Sequence, residues 1–332
     1  GIIAGCVLWI KFSLLGFWFG WMASILIVIV LKKEFIAALK SSFIFLFGMI
    51  ISTMPWVVYF GLNRSISTWI NSYIFVNLSN YSEGLALNFL IRNTIQGLVD
   101  HLLQNPIALI FLFFGVITFV VYDRFLRNLY HKLSLSLCFL FLMLSVFGGG
   151  RNYLYYFLIF SPFVIFSFIV VLTSIHEVFG GIKTTKKFSL IISAVTFFAL
   201  SFTLLFNHNT NMLGIEKEEL IQFKYASIIN QTENATILNY GTLDGGFYTV
   251  TGIVPNVRFF HNPNISYSKY PLIKDEQNRY IKESVVDYLI FQIPTIYNWE
   301  NLNVPQLYEN YELLDRQVHQ YENTDINYLI FK

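Results

Sequence analysis

Two cations stand where charge is expensive. Arg151 is the only charged residue between Lys132 and His176, and Lys11 is the only charge before Lys32. A charge at the centre of a bilayer costs about 2.5–3.5 kcal/mol even on the lenient insertion scale, so each needs a reason. Arg151 follows Gly148-Gly149-Gly150 and precedes a tyrosine cluster, Tyr153, Tyr155 and Tyr156. A guanidinium meets phosphate oxygens bidentately, which suits binding of a lipid-linked phosphate at a membrane surface. The same residues also fit an interfacial anchor, with the arginine snorkelling and the tyrosines in an aromatic belt. The residues alone leave both readings standing.

The elements that must position these groups are apolar. Charged residues make up 13% of the 332-residue chain, against roughly 25% in soluble domains, and the deficit is concentrated in uncharged runs. These occupy residues 12–31, 41–63, 106–122, 133–150, 152–175 and 188–206. Each is close to the ~20 residues that cross a bilayer core as a helix, the form that satisfies its own backbone in lipid. Residues 1–10 form a shorter apolar stretch, read as a truncated span at the front of what is the back part of a longer protein. The predicted organisation is a polytopic all-α membrane domain over 1–206, with about six full spans, and a soluble α/β domain over 207–332. Residues 35–42 read as an amphipathic link, and Pro55 predicts a kink or an end in the span that contains it. The long loop 64–105 carries Ile91, Ile95, Leu98, Val99 and Leu102 at helical spacing, which predicts a helix lying along the membrane surface.

Basic residues set the expected orientation. One set of connectors holds nine (Lys32, Lys33, Lys40, Arg124, Arg127, Lys132, Lys183, Lys186 and Lys187) and the other holds four (Lys11, Arg64, Arg92 and Arg151). The first set is assigned to the cytoplasm. The long loop, the Arg151 corner, Lys11 and the whole C-terminal domain then lie outside, in a multi-pass protein of the cell membrane. The four outer cations run against the bias, which marks them as functional candidates. Residues 1–206 carry 13 Lys/Arg and 5 Asp/Glu, and residues 207–332 carry 9 and 15, a distribution that argues against a nucleic-acid partner.

In the tail, 216–231 and 274–284 read as helices, 244–251 as a short helix, and 235–240 and 285–291 as buried strands. Residues 257–260 read as a further short strand, and 311–321 with 327–331 as an antiparallel pair. Tyr240-Gly241 and Asp244-Gly245-Gly246 lack the spacing of a nucleotide loop and read as a tight turn. Cys6 and Cys138 both lie in apolar runs, so no disulfide framework exists. The six histidines show no metal-site spacing, and no GxSxG elbow or P-loop occurs. Glu83 and Asp100-His101 in the external loop could supply a base or bind a divalent cation, or be ordinary solvated residues. No catalytic set is complete.

The order of segments resembles the C-terminal half of a GT-C-fold membrane glycosyltransferase. The group is that of the protein O-mannosyltransferases, the aminoarabinose transferases and dolichyl-phosphate-mannose-mannosyltransferase-like relatives. The resemblance rests on GIIAGCVLWIKFSL at the start, Pro55-Trp56, RNYLYYFLIFSP from Arg151, ILNYGTLDGGFYTVTGIVPNVRFF and VVDYLIF. It implies transfer of a sugar from a polyprenyl-phosphate donor to a glycan, lipid or protein acceptor at the outer face, with inversion at the anomeric carbon. It places the catalytic Asp upstream of residue 1, so that this chain supplies carrier and acceptor contacts. On this reading Lys11 and Arg151 hold the lipid phosphate. Tyr153, Tyr155 and Tyr156 line sugar or isoprenoid, with Arg64 and Arg92 as second-rank substrate contacts. Where the family often has a His in the corner, this chain has Tyr155-Tyr156. A reading from another class is a non-enzymatic polysaccharide transporter or a membrane-anchored binding module. The spans are nearly pure hydrocarbon with charges at their outer ends, which favours surface chemistry over passage.

Overall fold

The computed structural model describes residues 1–81, 86–104, 106–150, 153–179, 186–205, 214–321 and 324–332. The chain divides into two units, Gly1–Lys183 and Thr184–Lys332. Among the described residues, four helical stretches are long and apolar enough to cross a membrane: Phe12–Leu31, Phe35–Leu62, Leu129–Phe147 and Tyr155–Val178. Pro106–Val121 and Ser189–Phe198 are apolar but shorter. The chain thus combines a helical membrane part with a small α/β region.

The first unit contains α1 (Ile2–Ile10), α2 (Leu15–Leu31), α3 (Phe35–Leu62), α4 (Ile66–Ile70), a π-helical stretch (Asn71–Tyr81), α5 (Leu87–Gln104), α6 (Pro106–Val121), α7 (Leu129–Phe147) and α8 (Ser161–Phe179). Residues 35–42 are the first turns of α3 and not a separate link, which corrects that expectation. α3 runs through Pro55 for seven further residues, so that of the expected kink or end the end does not occur. The proline removes one backbone bond, but a helix that stopped in hydrocarbon would strand four carbonyls, so continuation is the cheaper outcome.

α2 lies antiparallel on α7 because its contact stripe is small. A Cβ on Gly16 would lie 2.2 Å from the Phe141 carbonyl oxygen, and one on Gly20 would lie 2.4 Å from that of Leu137. One turn on, the hydroxyls of Ser24 and Ser134 meet at 2.6 Å. Small residues at this spacing bring backbones together where lipid gives no hydrophobic drive. At the far end of α7 from Lys11, Lys132 pairs with Asp123 at 2.5 Å and Arg124 pairs with Glu177.

The described residues of the loop 64–105 are largely helical, and α5 is inverted relative to a helix of a soluble protein. Its buried positions are Asn93, Thr94, Gly97 and His101. Its apolar residues Ile91, Ile95, Val99, Leu102 and Leu103 are exposed. The small and polar stripe is buried and the apolar stripe is exposed, a pattern compatible with an apolar environment around α5.

The second unit begins with α9 (Lys186–Leu205). It continues through α10 (Ile221–Ile229), β1 (Ile237–Tyr240), α11 (Phe247–Thr251), α12 (Leu272–Lys282), β2 (Tyr288–Pro294), α13 (Leu307–Asn310), β3 (Leu313–Tyr321) and β4 (Thr324–Phe331). The sheet order is β1-β2-β4-β3. β1 and β2 are parallel with Ile237 opposite Tyr288, and the other pairs are antiparallel. Alternation buries both faces. Leu238, Leu289, Phe291, Leu329 and Phe331 pack with Tyr280 and Ile281 of α12. Ile237, Tyr288, Ile290 and Ile330 pack with Tyr225 and Ile229 of α10 and Phe247 of α11. Residues 257–260 form no strand. Only a single backbone bond, Asn239 N–H to the Phe260 carbonyl, ties that segment to β1.

Candidate functional site

Lys11 occupies the break between α1 and α2, in extended backbone with φ −159°. Its N–H caps α1 by donating to the Val7 carbonyl. The neighbouring Leu8 carbonyl accepts from the Tyr73 hydroxyl at 2.6 Å. The lysine backbone therefore stands at the carboxyl end of a helix, the end whose dipole favours a cation.

The tyrosines meet it there. Lys11 Nζ lies 4.5 Å from the Tyr156 ring centroid and 4.8 Å from that of Tyr155, within cation–π range. Tyr153 stacks on Tyr155 at 5.5 Å, and Tyr155 meets Tyr156 edge-on at 4.9 Å. The tight 3₁₀ turn Leu154–Phe160 gathers the three rings, beginning with a Tyr156 N–H to Tyr153 carbonyl bond of 2.9 Å. Among the described residues, no carboxylate forms an ion pair with Lys11.

Beside this cluster is a cavity of about 550 Å³, lined by Lys11, Gly16, Asn77, Leu90, Leu144 and Gly149 among others. Its walls are overwhelmingly apolar, and among the described residues Lys11 is the one charged group that lines it. Two polar bonds fix its frame. Ser145 Oγ donates to the Ser13 carbonyl at 2.5 Å, joining α7 to the residues after Lys11. Asn93 Nδ2 donates to the Gly148 carbonyl at 3.0 Å, joining α5 to the glycine corner. Such an arrangement can take a molecule with an anionic head and an apolar tail.

Arg151 and Glu83 lie outside the described residues, although Gly149 and Tyr156 on either side of Arg151 both line the cavity. Arg64 is exposed at the turn after α3, in left-handed backbone with φ 54°. Arg92 is exposed on α5, with its guanidinium 4.9 Å from the Phe89 ring. Neither lines the Lys11 cavity. Among the described residues, no group of three or more His, Cys, Asp or Glu is gathered as a metal ion would need.

His101 is not a solvated loop residue. It is 1% exposed, both ring nitrogens lack a hydrogen-bond partner, and it sits between the rings of Phe147 and Phe157 at 5.3 and 5.9 Å. Burial pulls its pKa down, opposed by the charge of Asp100. Ser13, Asn93 and Ser145 were equally hidden from sequence reasoning. The one signal for them is the placement of small polar residues at helix-contact spacing.

Compared with protein-family models, curated proteins and solved structures, the chain matches none.

Proposed function

We propose that this chain belongs to an integral-membrane glycosyltransferase that uses a polyprenyl-phosphate-linked sugar. One observation carries the reading. An ammonium held by two tyrosine faces, with no carboxylate partner among the described residues, borders a largely apolar cavity of the helical unit. A sugar donor of that class has the matching parts, a phosphate and an isoprenoid chain. The order of the sequence segments, which resembles that of GT-C enzymes, supports the same conclusion.

In the proposed reaction, an acceptor hydroxyl or amine attacks the anomeric carbon from the face opposite the phosphate. The carbon–oxygen bond to phosphate breaks and its electron pair leaves with the polyprenyl phosphate. The acceptor's proton passes to a general base. Charge develops on the leaving phosphate, and a preorganised cation there lowers the barrier. Lys11 supplies that cation, with Arg151 as its expected partner. Tyr155 and Tyr156 hold Lys11 in place and border the sugar.

The test uses the full-length protein in membranes, with radiolabelled polyprenyl-phosphate hexoses as donors and release of polyprenyl phosphate as the readout. Lys11→Ala and Arg151→Ala should each lower turnover by about a hundredfold, the scale for removing one oxyanion-stabilising group, with insertion unchanged. Wild-type turnover in Lys11→Ala, or no donor cleavage by the intact protein, overturns the reading.

A further inference from the structure

The second unit contains a cavity that the membrane chemistry does not use. It measures about 320 Å³ and opens where β1 and β2 end, lined by Tyr240, Thr242, Lys274, Phe291, Gln292 and Asn303 among others. Ligand sites run from roughly 300 to 1,000 Å³, so its occupant is small. Its place in the fold is informative. β1 and β2 are the parallel pair, and in α/β sheets ligands bind in the crevice beyond the carboxyl ends of such strands.

The site is held rigid from below. Gln277, wholly buried, accepts from the Gly241 N–H at 3.0 Å and donates to the carbonyls of Asn239 and Phe259 at 3.3 and 3.0 Å. Gly241 takes φ 72°, which turns the chain so that Thr242 faces the cavity wall. Gln292 is fixed by donating to the Leu243 carbonyl at 3.3 Å. The floor is aromatic, with the Tyr240 and Phe291 rings 4.9 Å apart.

One group in this wall is unsatisfied. The Thr242 hydroxyl is buried without a hydrogen-bond partner. The same is true of Asn239 Oδ1 and His261 Nδ1 on the adjoining chain, which backbone bonds tie to this turn: Asn239 N–H to Phe260 and Asn262 N–H to Thr242. Native folds rarely leave buried polar atoms unpaired, and the Thr242 hydroxyl, the one of the three on a residue that lines the cavity, points to something that pairs with it.

We propose that this cavity binds one residue of a carbohydrate. The two carboxamides each offer a donor and an acceptor side by side, as vicinal hydroxyls require, and the threonine adds a further hydroxyl. The aromatic floor takes the apolar face of a sugar ring, and Lys274 at the rim suits an acidic substituent. A phosphate alone fits less well. The glycine turn leads into a helix of only five residues, Phe247–Thr251, too short to offer a strong anion site at its amino end. The inference needs no sugar transfer by the membrane unit and stands or falls separately from it.

The test is saturation-transfer NMR on the intact protein in lipid nanodiscs, with D-glucose, N-acetyl-D-glucosamine, D-galacturonate and inorganic phosphate as separate probes. At least one saccharide should bind, with a Kd on the order of 1 mM as a small shallow site allows. Thr242→Val and Gln292→Leu should each weaken it by about 2- to 10-fold, the scale of one lost hydrogen bond. Absence of saccharide binding overturns the proposal. So does binding unchanged in both variants, which locates the sugar elsewhere. Binding of phosphate alone, abolished by Lys274→Ala, makes the cavity an anion site instead and also overturns it.

Discussion

Asn93 and Gly148, 55 residues apart, are joined by a buried hydrogen bond of 3.0 Å from the side-chain amide to the backbone carbonyl. This bond sets the surface helix against the glycine corner. The carbonyl it satisfies belongs to the end of α7, where carbonyls have no partner within the helix. Asn93→Ala should cost about 1–3 kcal/mol, the range for stranding a buried polar group. A fall in the thermal unfolding midpoint of the detergent-purified protein would register it. An unchanged midpoint would show that α5 is held by its other contacts.

The contact of Lys11 with Tyr155 and Tyr156 is energetic as well as geometric. Tyr156→Phe keeps the ring face and should be nearly neutral. Tyr156→Leu removes it and should cost about 0.5–2 kcal/mol, less in a Lys11→Met background. The difference between the two backgrounds in a double-mutant cycle measures the coupling. A coupling of zero would mean that the ammonium does not feel the rings.

The α2–α7 contact predicts a crosslink. With Cys6 and Cys138 replaced by Ala, Ser24→Cys with Ser134→Cys should oxidise readily, because the two hydroxyl oxygens are 2.6 Å apart. Adding Gly20→Leu should abolish the crosslink, since even its Cβ would lie 2.4 Å from the Leu137 carbonyl oxygen and backbone cannot step aside. Overpacking of this kind costs about 1–3 kcal/mol. A gel-mobility assay reads both outcomes.

Much of this architecture is written locally. The buried strands β1 and β2 follow from apolar runs and α12 from its 3.6-residue pattern. Three features are not local. Pro55 sits inside a helix because the surroundings of α3 make stopping costlier than continuing. His101 is buried because α5 turns its polar stripe inward, the reverse of the rule that sends polar residues to water. The strand expected at 257–260 fails because β1 takes only one backbone bond from it. In each case the deciding partner is distant in sequence or is the lipid itself.

Two histidines give the second unit a pH response. Burial lowers the pKa of His261, opposed by Asp244, and burial together with Lys224 lowers that of His319. The unfolded chain takes up protons near the ordinary value of about 6.5, while the folded chain resists them. Folding therefore costs nothing extra above that pH, and stability falls as pH drops below it toward the depressed folded-state values. Unfolding midpoints measured between about pH 7.5 and 5 should decline, with a shallower slope in His261→Gln and His319→Gln. A slope that is the same in the variants would exclude these two side chains as its source.

The unbroken course of α3 has a mechanical consequence. Its 28 residues make a rod of about 42 Å, against roughly 30 Å of hydrocarbon. The excess must be taken up by tilt or by overhang. α4 hangs from its end, Trp69 of α4 packs on Phe60 at 4.8 Å and on Trp9 at 4.5 Å, and Tyr73 just beyond grips the Leu8 carbonyl. A change of bilayer thickness that tilts α3 should therefore be felt at the seat of Lys11, and the reactivity of a Lys11→Cys thiol in bilayers of graded acyl length would show how far it reaches.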